Sequence, residues 1–187
     1  DLLDVTPAGL RAWRNEDGRF TDAAAAWGLA SREQAVGAVA GDLDGDARPD
    51  LVVLRDQGVT LYRNAPDGRF TDATAAAGIA DAGRAQAAAL GDVDHDGDLD
   101  LMLGGASGAD RLWQNSGAAV FKDVTTAARL TGSGRVTGLV PTDFDNRRDI
   151  DLLLVTVRGG ALLMRNLRDG SFRDVASDVG LVLDHLP

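Results

Sequence analysis

Apolar and polar positions along this chain fall into short runs set off by turn residues. Between Arg84 and Ala127 the order is clear. Gln86 to Leu90 is a run of small apolar residues, Leu101-Met102-Leu103 is a second apolar run, and Gly104-Gly105 ends it. Arg111-Leu112-Trp113-Gln114 follows, and Asn115-Ser116-Gly117 reads as a turn because Asn and Gly tolerate positive φ. Val120 to Thr125 alternates apolar and polar residues, the period of a half-buried strand. The pattern predicts four short strands. The Ala-rich stretches Asp22 to Ala26 and Ala73 to Ala77 have helical propensity. We read each as the end of a fourth strand plus a turn, at most one helical turn.

The four-strand unit recurs. Asn15-Glu-Asp-Gly18-Arg-Phe20-Thr-Asp22 returns as Asn64 to Asp72, as Asn115 to Asp123 and as Asn166 to Asp174, with Phe-to-Phe steps of 50, 51 and 51 residues. A Gly-Leu-like pair closes most units, at Gly28-Leu29, Gly78-Ile79 and Gly180-Leu181, while Arg129-Leu130 departs. Four strands per unit at this period predict an all-β fold, a β-propeller whose blades are four antiparallel strands. Asp1-Leu2-Leu3 aligns with Asp50-Leu51-Val52, Asp100-Leu101-Met102 and Asp151-Leu152-Leu153. The expectation is one propeller segment over 1–187, with an incomplete blade at 1–34 and further blades at 35–84, 85–134 and 135–187, roughly three and three-quarter in all. A piece of a longer propeller fits that count better than a closed ring.

An acidic loop joins the first two strands of each complete unit. Gly91 to Leu103 places Asp92, Asp94, Asp96, Asp98 and Asp100 at alternating positions. Asp42, Asp44, Asp46 and Asp50 lie earlier at the same period, and Asp143, Asp145, Asp149 and Asp151 later. Carboxylates this close repel unless a cation sits among them, and oxygen-only ligands suit a hard cation, above all Ca2+. The EF-hand, which also begins D-x-D-x-D, needs a Glu at position 12 and an exiting helix. Position 12 here is Val53, Leu103 and Leu154, and a strand follows.

The spacing D-x-D-x-D-x-x-x-D ahead of a strand resembles the calcium loop of FG-GAP (VCBS-type) repeats, which form the propeller of integrin α subunits and of many bacterial exported proteins. The flanking residues Leu61-Tyr62-Arg63-Asn64, Asp67-Gly68-Arg69-Phe70-Thr71-Asp72 and Gly78-Ile79 look closer still to bacterial repeats found beside ASPIC/UnbV segments. The resemblance implies side-chain ligands at positions 1, 3, 5 and 9 and a backbone carbonyl at position 7. That assigns Asp42, Asp44, Asp46, Asp50 and the Arg48 carbonyl to one site. It assigns Asp92, Asp94, Asp96, Asp100 and the Asp98 carbonyl to a second. In the third loop position 5 is Arg147, leaving Asp143, Asp145, Asp151 and the Asp149 carbonyl. That site either binds Ca2+ weakly or holds the Arg147 guanidinium in the ion's place. Two calcium sites and a degenerate third are expected.

Composition narrows the function. The net charge of −10 argues against a nucleic-acid partner, because phosphate binding needs a basic face. Three bound Ca2+ would bring −10 to −4. With no Cys, disulfides and thiol chemistry are excluded. No signal peptide is present and no apolar run reaches the ~20 residues that span a bilayer, so an export signal would lie upstream. No GxSxG, P-loop or HExxH occurs, and neither His95 nor His185 has a nucleophile partner legible in the sequence. Trp13, Tyr62, Trp113 and Met164 share one repeat position, and Phe20, Phe70, Phe121 and Phe172 another; both read as core between blades. Trp27 matches Ala77, Ala128 and Val179, so it has no repeat role and reads as a recognition residue or a cover for one end.

The expectation is therefore a non-enzymatic, calcium-binding module of a secreted, periplasmic or cell-surface protein. It would present a surface for protein or glycan binding or for cell adhesion, without membrane insertion. Two other readings stand beside it: part of a polysaccharide-cleaving enzyme, and an assembly unit completed by the rest of a longer propeller or by a second copy.

Overall fold

Each acidic loop carries the chain from the first to the second strand of an antiparallel sheet. The computed structural model describes residues 1–31, 33–106, 110–130, 132, 134–157 and 160–181. Strands β1 (Leu2–Thr6), β2 (Gly9–Glu16) and β3 (Arg19–Asp22) make a three-stranded sheet. The second sheet is β4 (Ala35–Gly41), β5 (Asp50–Arg55), β6 (Gly58–Asn64) and β7 (Phe70–Asp72). The third is β8 (Ala85–Gly91), β9 (Asp100–Gly105), β10 (Arg111–Asn115) and β11 (Phe121–Asp123). The fourth is β12 (Val136–Thr142), β13 (Asp151–Thr156), β14 (Ala161–Asn166) and β15 (Phe172–Asp174). Every sheet is a meander in chain order, and no helix occurs among the described residues. The fold is all-β, a partial β-propeller. His185 lies outside the described residues.

The sheets stack along their first strands: β1 lies by β4, β4 by β8, and β8 by β12. Small residues on those strands allow the approach. A Cβ on Gly41 would stand 2.7 Å from Leu90 Cδ1 and 2.9 Å from Leu99 Cδ1. The first strand of each complete sheet carries one bulge, between Ala35 and Gly37, Ala85 and Ala87, and Val136 and Gly138.

The core lies in layers between successive sheets. Leu54, Leu61, Ile79, Leu101, Leu103 and Phe121 fill the layer between the second and third sheets. Met102, Leu112, Leu152, Leu154 and Phe172 fill the next. Burying each such side chain contributes about 1.5–3 kcal/mol, so the layers carry most of the cohesion. Trp113, Met164, Phe121 and Phe172 are buried as the repeat predicts. Phe20 is not: it is 53% exposed, because no described sheet packs on the outer side of the first.

The Ala-rich stretches are single tight turns. Trp27 N–H bonds the Ala23 carbonyl at 2.9 Å, Leu29 N–H the Ala24 carbonyl at 2.8 Å, and Gly28 takes φ +75°. This is a helix-ending motif with a left-handed residue in its closing position. Arg129 occupies that position in the third sheet at φ 57°, bearing strain its glycine counterparts avoid. Each turn then receives the next sheet. Phe70 N–H donates to the Trp27 carbonyl (2.8 Å), Phe121 N–H to Ala77 (2.9 Å) and Phe172 N–H to Ala128 (2.9 Å).

Candidate metal centres

The acidic loops owe their shape to alternating backbone signs. Position 4 is left-handed in all three, at Gly45 (φ 74°), His95 (66°) and Asn146 (59°). Position 6 is also left-handed, at Ala47 (φ 64°), Gly97 (96°) and Arg148 (68°). Asx-type bonds hold the turn. Asp42 accepts from Gly45 and Ala47 N–H at 2.9 and 2.8 Å. Asp92 accepts from Asp96 and Gly97 N–H, both at 3.1 Å. Asp143 accepts from Arg147 and Arg148 N–H, both at 2.9 Å.

The carboxylates converge in three groups: Asp42, Asp44 and Asp50; Asp92, Asp94 and Asp96; Asp143, Asp145 and Asp151. Within each group one oxygen per residue lies within 4.8 Å of the others. A donor set of oxygens alone, drawn together at this spacing, can hold a metal ion. Asp46 and Asp100 fall outside these groups. Asp46 pairs with Arg48 and accepts from its N–H at 2.9 Å.

The position-9 carboxylates are structural as well. Asp50 accepts from Leu43 N–H (3.1 Å) and Asn64 N–H (2.9 Å), and Asp100 from Val93 N–H (3.0 Å) and Asn115 N–H (2.8 Å). Asp151 accepts from Asn166 N–H at 2.8 Å, and Asp1 from Asn15 N–H at 2.9 Å. Burial is the largest cause raising Asp100, to about 6 against the amide bonds that lower it, and Asp94 and Asp96 add to the rise. Asp50 and Asp151 are raised for the same first reason.

A raised carboxyl binds its proton more tightly in the folded than in the unfolded chain. Metal-stripped protein therefore gains stability as the pH falls from 7 to 5, by about 1 kcal/mol from Asp100. Asp123, Asp149 and Asp169 are lowered and oppose this only at more acidic pH. Thermal melts of stripped protein at the two pH values check the slope; a higher midpoint at pH 7 would contradict it.

Two sets of residues escape a reading of the loops alone. The first is the repeat asparagine. Asn115 Nδ2 donates to the Leu43 carbonyl of the preceding loop (2.8 Å) and to Leu99 of its own (3.2 Å). Asn166 Nδ2 does the same to Val93 (2.8 Å) and Ile150 (3.3 Å). The turn marker thus ties neighbouring acidic loops together. The second set stands one residue earlier on the third strand. Arg63 pairs with Asp44, Gln114 with Asp94, and Arg165 with Asp145 at 3.0 Å. Partners separated by 19 or 20 residues become visible only once β-pairing is known.

His95 is half exposed, with Nε2 3.1 Å from Asp149 Oδ1 across the junction of the third and fourth sheets. Trp27 is half-buried between the first and second sheets, with the Arg14 guanidinium 5.7 Å from its ring centre. Trp27, Leu3, Arg14 and Phe70 line a cleft of about 510 Å³ there.

A family model described as FG-GAP-like repeat matches residues 1–53, 42–103 and 92–154. No curated protein matches the sequence. Among solved structures, an Agrocybe aegerita lectin, whose title describes specific recognition of non-reducing terminal N-acetylglucosamine, shares the fold. Its TM-score is 0.53 at 18% identity, over 91% of this chain and 46% of the lectin. The chain thus spans less than half of that structure.

Proposed function

The chain belongs to the family of FG-GAP-like repeats, and on that premise we propose that it is a calcium-stabilised, non-catalytic binding module of an exported protein. The observation that carries the calcium reading is the loop at Asp92 to Asp100. Asp92, Asp94 and Asp96 converge there with Asp100 close enough to feel their charge, and among the described residues no Lys or Arg side chain pairs with any of them. Asp92, Asp94, Asp96 and Asp100, with the Asp98 carbonyl, would hold one Ca2+. Asp42, Asp44, Asp46 and Asp50, with the Arg48 carbonyl, would hold another once Arg63 and Arg48 swing aside. Bound calcium supplies positive charge that relieves the repulsion in each loop. The chain's own part is to keep the loops turned and tied to their neighbours through Asn115 and Asn166.

The ligand reading is a glycan. It is supported by the likeness of fold to a sugar-recognising lectin and by the Trp27 cleft, where an aromatic face and a guanidinium stand together. Indole faces stack on the apolar faces of sugar rings, and Arg supplies hydrogen bonds to hydroxyls or acidic groups. A glycan array probed with calcium-saturated protein tests this. Saturable binding that Trp27→Ala weakens about tenfold or more is expected. Binding unchanged by that substitution would move the site elsewhere, and turnover of an array polysaccharide would replace the non-catalytic reading with an enzyme.

A further inference from the structure

We infer that the loop at Asp143 to Asp151 is held by arginines in place of a divalent cation, so that the fourth sheet keeps its loop when metal is withdrawn. The inference rests on the calcium reading for the other two loops, and it concerns how the three differ.

The difference is in the positive charge already present. The loop at Asp92 to Asp100 has five carboxylates, and the group on Asp94 is the neutral Gln114. The loop at Asp42 to Asp50 has four carboxylates with Arg63 on Asp44 and Arg48 on Asp46. The last loop has four carboxylates and three guanidinium groups. Arg165 Nε lies 3.0 Å and Arg147 Nε 3.3 Å from Asp145 Oδ2. Arg168 Nε lies 2.7 and 2.8 Å from the two oxygens of Asp149, and its terminal nitrogen donates to the Arg147 carbonyl. A divalent ion would leave that cluster with net positive charge, whereas it leaves the Asp92 to Asp100 cluster still negative. Fixed cations within 4 Å repel an incoming cation strongly wherever solvent is partly excluded.

Arg165 is anchored. The Arg165 guanidinium lies 5.2 Å from the ring centre of Phe144, where the other loops have Leu43 and Val93. That contact holds the charge over Asp145 and would be lost if Arg165 swung away. Asp149, at the position whose carbonyl would face the ion, is buried beneath Arg168 and also meets His95 from the preceding loop. The buried oxygens Asp145 Oδ2 and Asp151 Oδ2 lack an aligned hydrogen-bond donor, and the arginines meet the first as ion pairs. Arg147 also removes the oxygen that position 5 would supply.

The test is hydrogen exchange and calcium calorimetry on the full chain. Expected are two calcium sites at most. Calcium removal should speed exchange about tenfold or more at 42–50 and 92–100, with no change at 143–151. Arg147→Asp combined with Arg165→Gln should add a third site and make 143–151 calcium-sensitive. Three sites in the unaltered chain, or calcium protection of 143–151, would overturn the inference. If no loop binds calcium, the reading of the first two loops fails and the arginine clasp is judged by itself. Arg165→Gln alone should then speed exchange at 143–151, and an unchanged rate there would refute it.

Discussion

If the first two acidic loops hold calcium as proposed, withdrawing it from the saturated protein is expected to lower the melting temperature by roughly 10–20 °C. A ligand present at about 100 times its Kd stabilises the folded chain by about 2.7 kcal/mol per site. Two sites of Kd near ~10⁻⁴ M, ordinary for extracellular calcium modules, reach that level at roughly 10 mM calcium. A domain of this size moves about 2–4 °C per kcal/mol. The stripped loops then hold crowded carboxylates with less compensation, in a chain of net charge −10. Differential scanning calorimetry in excess calcium and after chelation measures the difference. Coincident melts would remove the cation from the stability of this fold.

Asp100→Ala is expected to destabilise the fold strongly, and it acts with or without metal. The side chain has no exposed surface, and its oxygens receive Val93 N–H and Asn115 N–H. Truncation leaves both donors buried without an acceptor, at about 1–3 kcal/mol each. It also frees β10 from the start of the loop that it should brace. Asp96→Ala is the control. Asp96 is exposed, and its internal bond is to Asp98 N–H at 2.9 Å. Expected in stripped protein is a melting temperature lower by roughly 5–15 °C for Asp100→Ala and little altered for Asp96→Ala. Calcium affinity should fall in both. Equal melts of the two stripped variants would show that Asp100 serves only as a ligand.

The sheets and their order were legible in the sequence because one marker set returns four times in register, so each strand is read against three copies. The turn at Asn115 to Gly117 was legible too, but not the reach of the Asn115 carboxamide to Leu43 in the sheet before. That contact depends on how neighbouring sheets are set against each other, which no local pattern encodes. The left-handed positions were half visible. Gly45 and Gly97 announce them, while His95, Asn146, Ala47 and Arg148 adopt the same backbone without the residue type that signals it. Arg147 stood out because it interrupts the spacing itself. Arg63, Arg165 and Arg168 did not, since their partners lie on other strands. The exposure of Phe20 was hidden for a related reason: a repeat pattern describes a residue's place in its unit but not whether a neighbouring unit covers it.

The bond from each Phe N–H to the preceding turn, at Phe70, Phe121 and Phe172, is polar in direction. Every unit carries a donor on one side and an acceptor on the other, and the two differ in shape. A tandem duplication of some fifty residues in frame therefore produces a copy whose partner surface already exists, and no compensating change is needed before the longer protein folds. The same asymmetry makes inheritance strict. A substitution in the Phe strand or in the Gly-Leu turn that enters before duplication is copied into every junction, whereas one that enters afterwards is confined to a single seam.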